Sequence, residues 1–150
     1  MTKAVFPGSF DPFTRGHEAI AHKALTIVDE LIIAVGINSN KSSLFELNKR
    51  INHIESLFSS LPVKVISFEG LTVSLCQDTN SKFIIRGLRD GKDFEYEKSI
   101  AHMNFKMSKI DTLFLLTTEE LSSINSSIVR EIYKNKADIS PFVTNVHLLV

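Results

Sequence analysis

The sequence predicts an α/β protein, a doubly wound, open sheet of five parallel strands covered by helices. Three observations lead there. Five short apolar runs alternate with segments of helical periodicity. The chain has 150 residues with 43% hydrophobic and 23% charged content and no low-complexity tract, which suits one compact domain over residues 1–150. The residues with notable chemistry fall in several separate places, each just after a predicted strand.

The first strand is predicted over Lys3–Phe6. A glycine-containing turn follows, and then a helix that begins at His17, with Ile20, Ala24, Ile27 and Val28 on its apolar face. The second strand is Leu31–Ile37, and the next helix carries the stripe Leu47, Ile51, Ile54 and Phe58. A third strand over Val63–Phe68 leads to a helix over Thr72–Asp78. A fourth over Lys82–Ile85 leads to a helix over Asp93–Lys109, whose Met103 and Met107 side faces either the sheet or a partner subunit. The fifth strand, Thr112–Thr117, precedes a helix over Ser126–Asn135 with Ile128, Val129 and Ile132 as its apolar side. There is no internal repeat.

Seventeen basic and seventeen acidic residues give a formal charge of zero, so no global field gathers nucleic acid or an anionic membrane. The longest strongly apolar run, Leu31–Ile37, is too short to span a bilayer, and the N-terminus lacks a signal-peptide core, so a soluble, cytoplasmic protein is expected. Cys76 is the single cysteine, which rules out an internal disulfide and a thiolate metal cluster. His17 and His22 lie on different helix faces, and no metal site is expected; His22, His53, His102 and His147 read as surface or core residues.

Ser9, Thr14 and His17 follow the first strand, Lys41 the second, Arg86 and Arg89 the fourth, and Asn125, Ser126 and Ser127 the fifth. In an open parallel sheet the carboxyl ends of the strands share one edge, and ligands bind where the strand order reverses. The four segments therefore converge on one cleft. Gly8 allows a ligand close to the backbone, and the free N–H groups of the helix that follows attract anions. Neither a G-x-x-x-x-G-K-[ST] loop nor a G-x-G-x-x-G turn is present, and no serine sits in a nucleophile setting. The remaining inventory is cationic and hydroxylic, suited to phosphate. A phosphate monoester attacking a nucleoside triphosphate is already anionic and needs no general base, so positioning and charge neutralisation carry such a reaction. Asp93 and Glu97 share a helix face; they are either a solvated helix start or, for Glu97, a holder of ribose hydroxyls or an orienter of Arg89.

Taken together, these segments resemble the bacterial phosphopantetheine adenylyltransferases, a branch of the nucleotidyltransferases that share a [HT]-x-G-H motif with class I aminoacyl-tRNA synthetases. The matching segments are Pro-Gly-Ser-Phe-Asp-Pro-Phe-Thr-x-Gly-His at 7–17, Lys41, Ile-Arg-Gly-Leu-Arg at 85–89, Asp-Phe-Glu-Tyr-Glu at 93–97, Ala-His-Met-Asn at 101–104 and Ile-Asn-Ser-Ser-x-Val-Arg-Glu at 124–131. The resemblance implies a single Rossmann-like domain of the nucleotidyltransferase fold. It implies transfer of the adenylyl group of ATP to 4′-phosphopantetheine with Mg2+, giving dephospho-coenzyme A and pyrophosphate, and a homohexamer. By the same resemblance His17, Lys41 and Arg89 are catalytic, and Ser9, Lys41, Thr72 and Arg86 hold phosphopantetheine. ATP is held by Ser9, Phe10, His17, Gly87, Leu88, Arg89, Glu97, Leu121, Ser122, Ser123, Ile124, Asn125, Ser126 and Ser127.

The chain departs from the family pattern at Asn125, where serine is usual, at Ser9, where threonine is commoner, and at Leu121, which is tryptophan in some members. Altered triphosphate contacts are expected at Asn125, whose side chain still donates and accepts. The sequence stops at Val150, where many relatives have a longer terminal helix, and this is expected to weaken the oligomer or trim an exposed tail. Two further readings remain: a related nucleotidyltransferase with another phosphate acceptor, and a nucleotide sensor without turnover.

Overall fold

In a computed structural model covering residues 1–150, β1 (Lys3–Gly8) occupies the centre of a five-stranded, wholly parallel sheet. The other strands are β2 (Glu30–Gly36), β3 (Val63–Phe68), β4 (Phe83–Leu88) and β5 (Asp111–Leu116), in spatial order β3-β2-β1-β4-β5. Helices α1 (Arg15–Ala24), α2 (Leu47–Leu57), α3 (Thr72–Asp78) and α4 (Gly91–Ser108) form the crossovers, and α5 (Ser126–Lys134) follows β5. The order reverses between β1 and β4, which puts the switch point at the centre of the molecule.

The two faces of the sheet have separate cores because successive strand residues point opposite ways. Ala4, Phe6, Leu31, Ile33, Val35 and Ile85 pack against Ile20, Ala21 and Ala24 of α1 and Ile54 of α2. Val5, Ile32, Ala34 and Ile84 pack on the other side with Val73 and Cys76 of α3. A third cluster of Phe45, Val129, Ile139, Val143 and Leu149 joins α5 and the C-terminal segment to the loop after β2. No helix is long and apolar enough to cross a membrane.

Several expectations change. Pairing of β4 with β5 continues to Leu88↔Leu116, so Arg86 and Gly87 lie inside β4 and not beyond its end. Helix α1 begins at Arg15, with Thr14 as its N-cap, and His17 is its third residue. The same helix stops at Ala24, and the turn that follows buries Val28 but leaves Ile27 exposed. Ile128 is half exposed, because it lines the cleft and only Val129 of that helix is fully buried. On α4 the sole buried residue is Glu97; Met103 is 59% and Tyr96 70% exposed, so the Met103 and Met107 side does not face the sheet.

At Gly87, β4 lies close against Ile20 of α1. A Cβ there would stand 2.9 Å from Cγ1 and 3.2 Å from Cδ1 of the buried Ile20. Gly87→Ala is expected to cost about 1–3 kcal/mol by overpacking, read from urea denaturation midpoints. Gly91→Ala, where nothing lies within 4 Å of the added carbon, is the comparison and is expected to change stability by less than about 1 kcal/mol.

Candidate functional site

The cleft begins as a parting of two strands. β1 pairs with β2 through six residues, from Lys3↔Glu30 to Gly8↔Val35, but with β4 only at Ala4↔Phe83 and Val5↔Ile84. Pro7 brings no N–H to continue that ladder. Arg86, on the opposite strand, takes up the freed backbone: its Nη1 donates to the Pro7 carbonyl at 2.8 Å. The rest of its fork is bidentate on Glu97 of α4, Nε to Oε2 at 2.9 Å and Nη2 to Oε1 at 2.6 Å. The pair corrects the expectation for Glu97. It orients Arg86, not Arg89, because α4 starts just after β4 and brings residue 97 back over the middle of that strand.

Arg89 takes the other carboxylate. Its N–H, Nε and Nη2 all donate to Asp93, at 3.1, 3.0 and 3.2 Å. Partial burial pushes the Asp93 carboxyl up, but the hydrogen bonds and charge of Arg89 outweigh it and hold the group below its usual range.

His17 sits in a capping box. The Thr14 hydroxyl accepts the His17 N–H at 3.4 Å, and the Thr14 N–H donates to Nδ1 of the imidazole at 3.0 Å. Nδ1 is therefore the unprotonated nitrogen, which leaves Nε2–H as the ring's donor. Burial, followed by the charges of Arg86 and Arg89, lowers the pKa from 6.5 to about 4. At neutral pH His17 is an uncharged donor. Phe6, Phe10 and Phe13 surround the ring, with centroids 6.3, 5.1 and 5.4 Å away.

Gly8 borders the cleft and also makes room for this cage, for a Cβ at that position would fall 2.8 Å from the Phe10 ring. Phe10 itself has φ +47°, a left-handed conformation of the kind found where surrounding packing over-determines the backbone.

The loop between β1 and α1 is held at successive carbonyls. Arg50 of α2 donates to Ser9 O, Arg130 of α5 to Asp11 O at 2.9 Å, and the Ser126 hydroxyl to Pro12 O at 2.8 Å. The Asp11 carboxylate in turn accepts the N–H groups of Leu44 and Phe45, at 2.8 and 2.9 Å. Asn125 caps α5, its Oδ1 accepting the Ile128 N–H at 2.8 Å, so the amide does the capping work a serine would do there.

The resulting cleft has two compartments. The larger, about 650 Å³, includes Phe10, His17, Gly87, Arg89, Asp93, Thr117, Ile124–Ser127 and Arg130 in its lining. The smaller, about 360 Å³, includes Phe68, Thr72, Tyr96, Asn104 and Thr112. Pro7, Gly8, Ser9, Arg86 and Glu97 line both and form the wall between them.

Lys41, Leu88, Leu121, Ser122 and Ser123 line neither compartment. Lys41 lies on the exposed loop after β2, which Asp11 anchors only at its far end, through Leu44 and Phe45. Leu88 is buried and acts through its carbonyl, which accepts the N–H and the hydroxyl of Thr117. Residues 121–123 belong to the short turn before α5 that positions Ile124.

Arg130 and Thr117 are cleft residues that the reading of separate strand ends does not single out. Arg130 stands one turn after Ser127 on α5 and donates to its hydroxyl at 3.0 Å, a spacing that could have revealed it. Arg50 also donates to Phe45 O and the Ser43 hydroxyl nearby, but its tie to the β1–α1 loop, Ser9 O, lies 41 residues away and leaves no local signal.

A central parallel strand, a switch-point cleft and a histidine on the first turn of the following helix fit a nucleotidyltransferase, the class that the comparisons with known proteins show. The cytidylyltransferase-like family model matches residues 5–132. A phosphopantetheine adenylyltransferase of Flavobacterium psychrophilum is 50% identical over 144 residues, covering 95% of both chains, and one of Bacteroides thetaiotaomicron is 46% identical over the same share. The chain belongs to the phosphopantetheine adenylyltransferase family. The fold also matches a bifunctional NMN adenylyltransferase/ADP ribose pyrophosphatase of Francisella tularensis, with a TM-score of 0.69 at 20% identity, over 95% of this chain and 44% of that one.

The neutral state of His17 is measurable. Imidazole NMR is expected to give a midpoint near 4 in place of the ordinary 6.5. The folded pKa is depressed, so the unfolded chain takes up its proton first. The His17 contribution to stability is therefore complete above about pH 6.5 and lost as pH falls toward 4. Arg86→Gln is expected to raise the midpoint, since it removes one of the two cationic neighbours; an unmoved midpoint would show that Arg86 has no part in it.

Proposed function

We propose that the protein transfers the adenylyl group of ATP to 4′-phosphopantetheine, forming dephospho-coenzyme A and pyrophosphate in the penultimate step of coenzyme A synthesis. The observation that carries this reading beyond family membership is the shared wall. Two compartments meet at Ser9, Arg86 and Glu97, with a neutral histidine beside the junction. Such a site brings two phosphates together and leaves the rest of each substrate in its own space.

ATP occupies the larger compartment. Ser9, Phe10, His17, Gly87, Arg89, Glu97 and Ile124 to Ser127 contact it, while Leu88 supports this wall through Thr117 and Leu121 to Ser123 support it through Ile124. Phosphopantetheine occupies the smaller one, its phosphate held by Ser9, Thr72 and Arg86. Lys41 completes that phosphate site by movement of its exposed loop. The anionic acceptor oxygen attacks the α-phosphorus in line; a P–O bond forms, the bond to the β-phosphate bridging oxygen breaks, and pyrophosphate leaves with the electron pair. No proton has to be removed from the nucleophile.

His17 donates from Nε2 to a non-bridging oxygen as charge builds there. Being uncharged beforehand, it adds no cation to a site that already holds Arg86 and Arg89. The chain has no group of three or more His, Cys, Asp or Glu side chains able to cage a metal, and both cleft carboxylates are engaged by arginines. Mg2+ is brought to the site on the triphosphate, as MgATP, in keeping with its preference for phosphate oxygens and water.

The apolar side chains of α4 that remain exposed, Met103 and Met107 among them, support a contact between subunits, and family resemblance supplies the homohexamer. Balanced charge and the absence of a membrane-spanning helix support a cytoplasmic enzyme with no nucleic-acid partner.

Pyrophosphate release from MgATP, compared across 4′-phosphopantetheine, pantetheine, glycerol 3-phosphate and nicotinamide mononucleotide, is the direct test. Turnover is expected with 4′-phosphopantetheine alone; turnover with another phosphate acceptor would reassign the substrate, and none with any acceptor despite ATP binding would indicate a sensor. His17→Ala is expected to lower kcat by roughly 10²–10³ with little change in ATP affinity. Arg86→Gln, whose amide still donates to Glu97, is expected to raise the acceptor KM or lower kcat by about ten- to a thousandfold.

A further inference from the structure

The segment from Asp138 to Val150 supplies none of the residues assigned above to either substrate, yet it grips the first turn of α1. The Arg15 N–H donates to Phe142 O at 2.8 Å. The Arg15 guanidinium spans the two preceding carbonyls, Nε to Pro141 O at 3.0 Å and Nη2 to Ser140 O at 3.2 Å. The Thr144 hydroxyl donates to Glu18 Oε2 at 2.8 Å. One helical turn is thus bound at two residues, Arg15 and Glu18, that bracket His17.

The gripping segment is itself immobilised from behind. Ile139, Val143 and Leu149 are buried against Phe45 and Val129. The buried His53 of α2 donates from Nε2 to Thr144 O at 2.6 Å, and the Asn145 amide donates to the Ser56 hydroxyl at 3.2 Å. Burial lowers the His53 pKa, and Nε2 carries its proton in either charge state, so titration does not remove this bond.

Helical periodicity puts residues 15 and 18 on neighbouring positions of one side and residue 17 well round from them. The strap therefore holds the back of a turn whose front presents the imidazole to the cleft. The Thr14–His17 capping box fixes the ring relative to the helix, but it does not fix the helix relative to the sheet. Within the first turn, the bonds to residues 140–144 do that, and an arginine suits the task because its planar fork reaches two carbonyls at once.

We propose that residues 140–144 are a positioning strap for His17, with Arg15 as its clamp and the Thr144–Glu18 bond as its second tie. Arg15 touches neither substrate. Its effect passes through the placement of α1, where an error of an ångström is enough to cost about a hundredfold in rate. The kinetic part of this inference rests on the adenylyl-transfer reading; the spectroscopic part does not.

The test uses the full chain with Arg15→Ala, Arg15→Lys and Thr144→Val, measuring kcat, both KM values, the His17 imidazole midpoint and the thermal midpoint. Arg15→Ala is expected to lower kcat by about ten- to a hundredfold, with each KM within about threefold of wild type. Its His17 midpoint is expected to rise from about 4 as the turn loosens and the ring gains water. Arg15→Lys, which reaches one carbonyl, should recover part of both, and Thr144→Val should move both in the direction of Arg15→Ala. Folded Arg15→Ala with wild-type kcat and an unmoved midpoint would overturn the strap, as would a rate loss matching only the unfolded fraction. Should Arg15→Ala fail to fold, Thr144→Val decides by the same criteria. If wild-type protein does not adenylylate phosphopantetheine, the functional reading fails, while the imidazole midpoint still judges the strap.

Discussion

The cleft depends on the early end of the β1–β4 ladder. Two residues of pairing hold the central strands together at their amino ends, and beyond Val5 they separate, with Pro7 unable to supply the donor that would close the gap. An open seam inside a parallel sheet exposes backbone carbonyls and invites water or a ligand. Arg86 answers that need at one carbonyl, and its charge is compensated by Glu97 from α4. Because breaking such a pair strands a charge in a half-buried setting, the two residues constrain each other and fix α4 over the switch point. With Pro7, Gly8 and Ser9, this ion pair forms the wall between the two compartments.

Charge at the site is arranged so that histidine stays neutral. Burial beside Phe10 and Phe13 disfavours an imidazolium, and the charges of Arg86 and Arg89 add to that effect. A cationic histidine would have been a simple way to bind triphosphate. In this cleft the positive charge sits on arginines, Arg86 and Arg89 among them, and His17 is a single oriented donor. Preorganised dipoles of this kind contribute where charge develops during reaction, without having to reorganise at that moment.

Most of the fold was legible. β3 and α3 occupy the predicted residues, and the other strands and helices differ by a few at their ends. The misplaced ends have physical causes: β4 is longer than its apolar run because β5 pairs with it through Leu88, and Ile27 is outside because α1 stops one turn before the apolar stripe does. At the site, the convergence of Ser9, His17, Arg86, Arg89 and Asn125–Ser127 was readable from their positions relative to the strands. Three features were not. The role of Gly8 depends on where the Phe10 ring goes, the pairing of Glu97 depends on how α4 folds back over β4, and the place of Lys41 depends on a loop with no periodicity to follow.

The sequence by itself determined the alternation of strands and helices, the single-domain scale, the phosphate-handling inventory and the family to which those motifs point. These are local patterns, carried by periods of two and 3.6 residues and by short motifs whose members are close in the chain. Tertiary structure alone decided which carboxylate each arginine takes, that His17 is neutral, and that the C-terminal segment grips α1. Arg89 and Asp93 are only four residues apart, but the setting of Arg86 rests on Pro7 across 79 residues and the grip on α1 rests on Arg15 with Pro141 across 126. No short-range pattern encodes such a contact, because it exists only once the sheet has set the strand order and the helices have packed upon it.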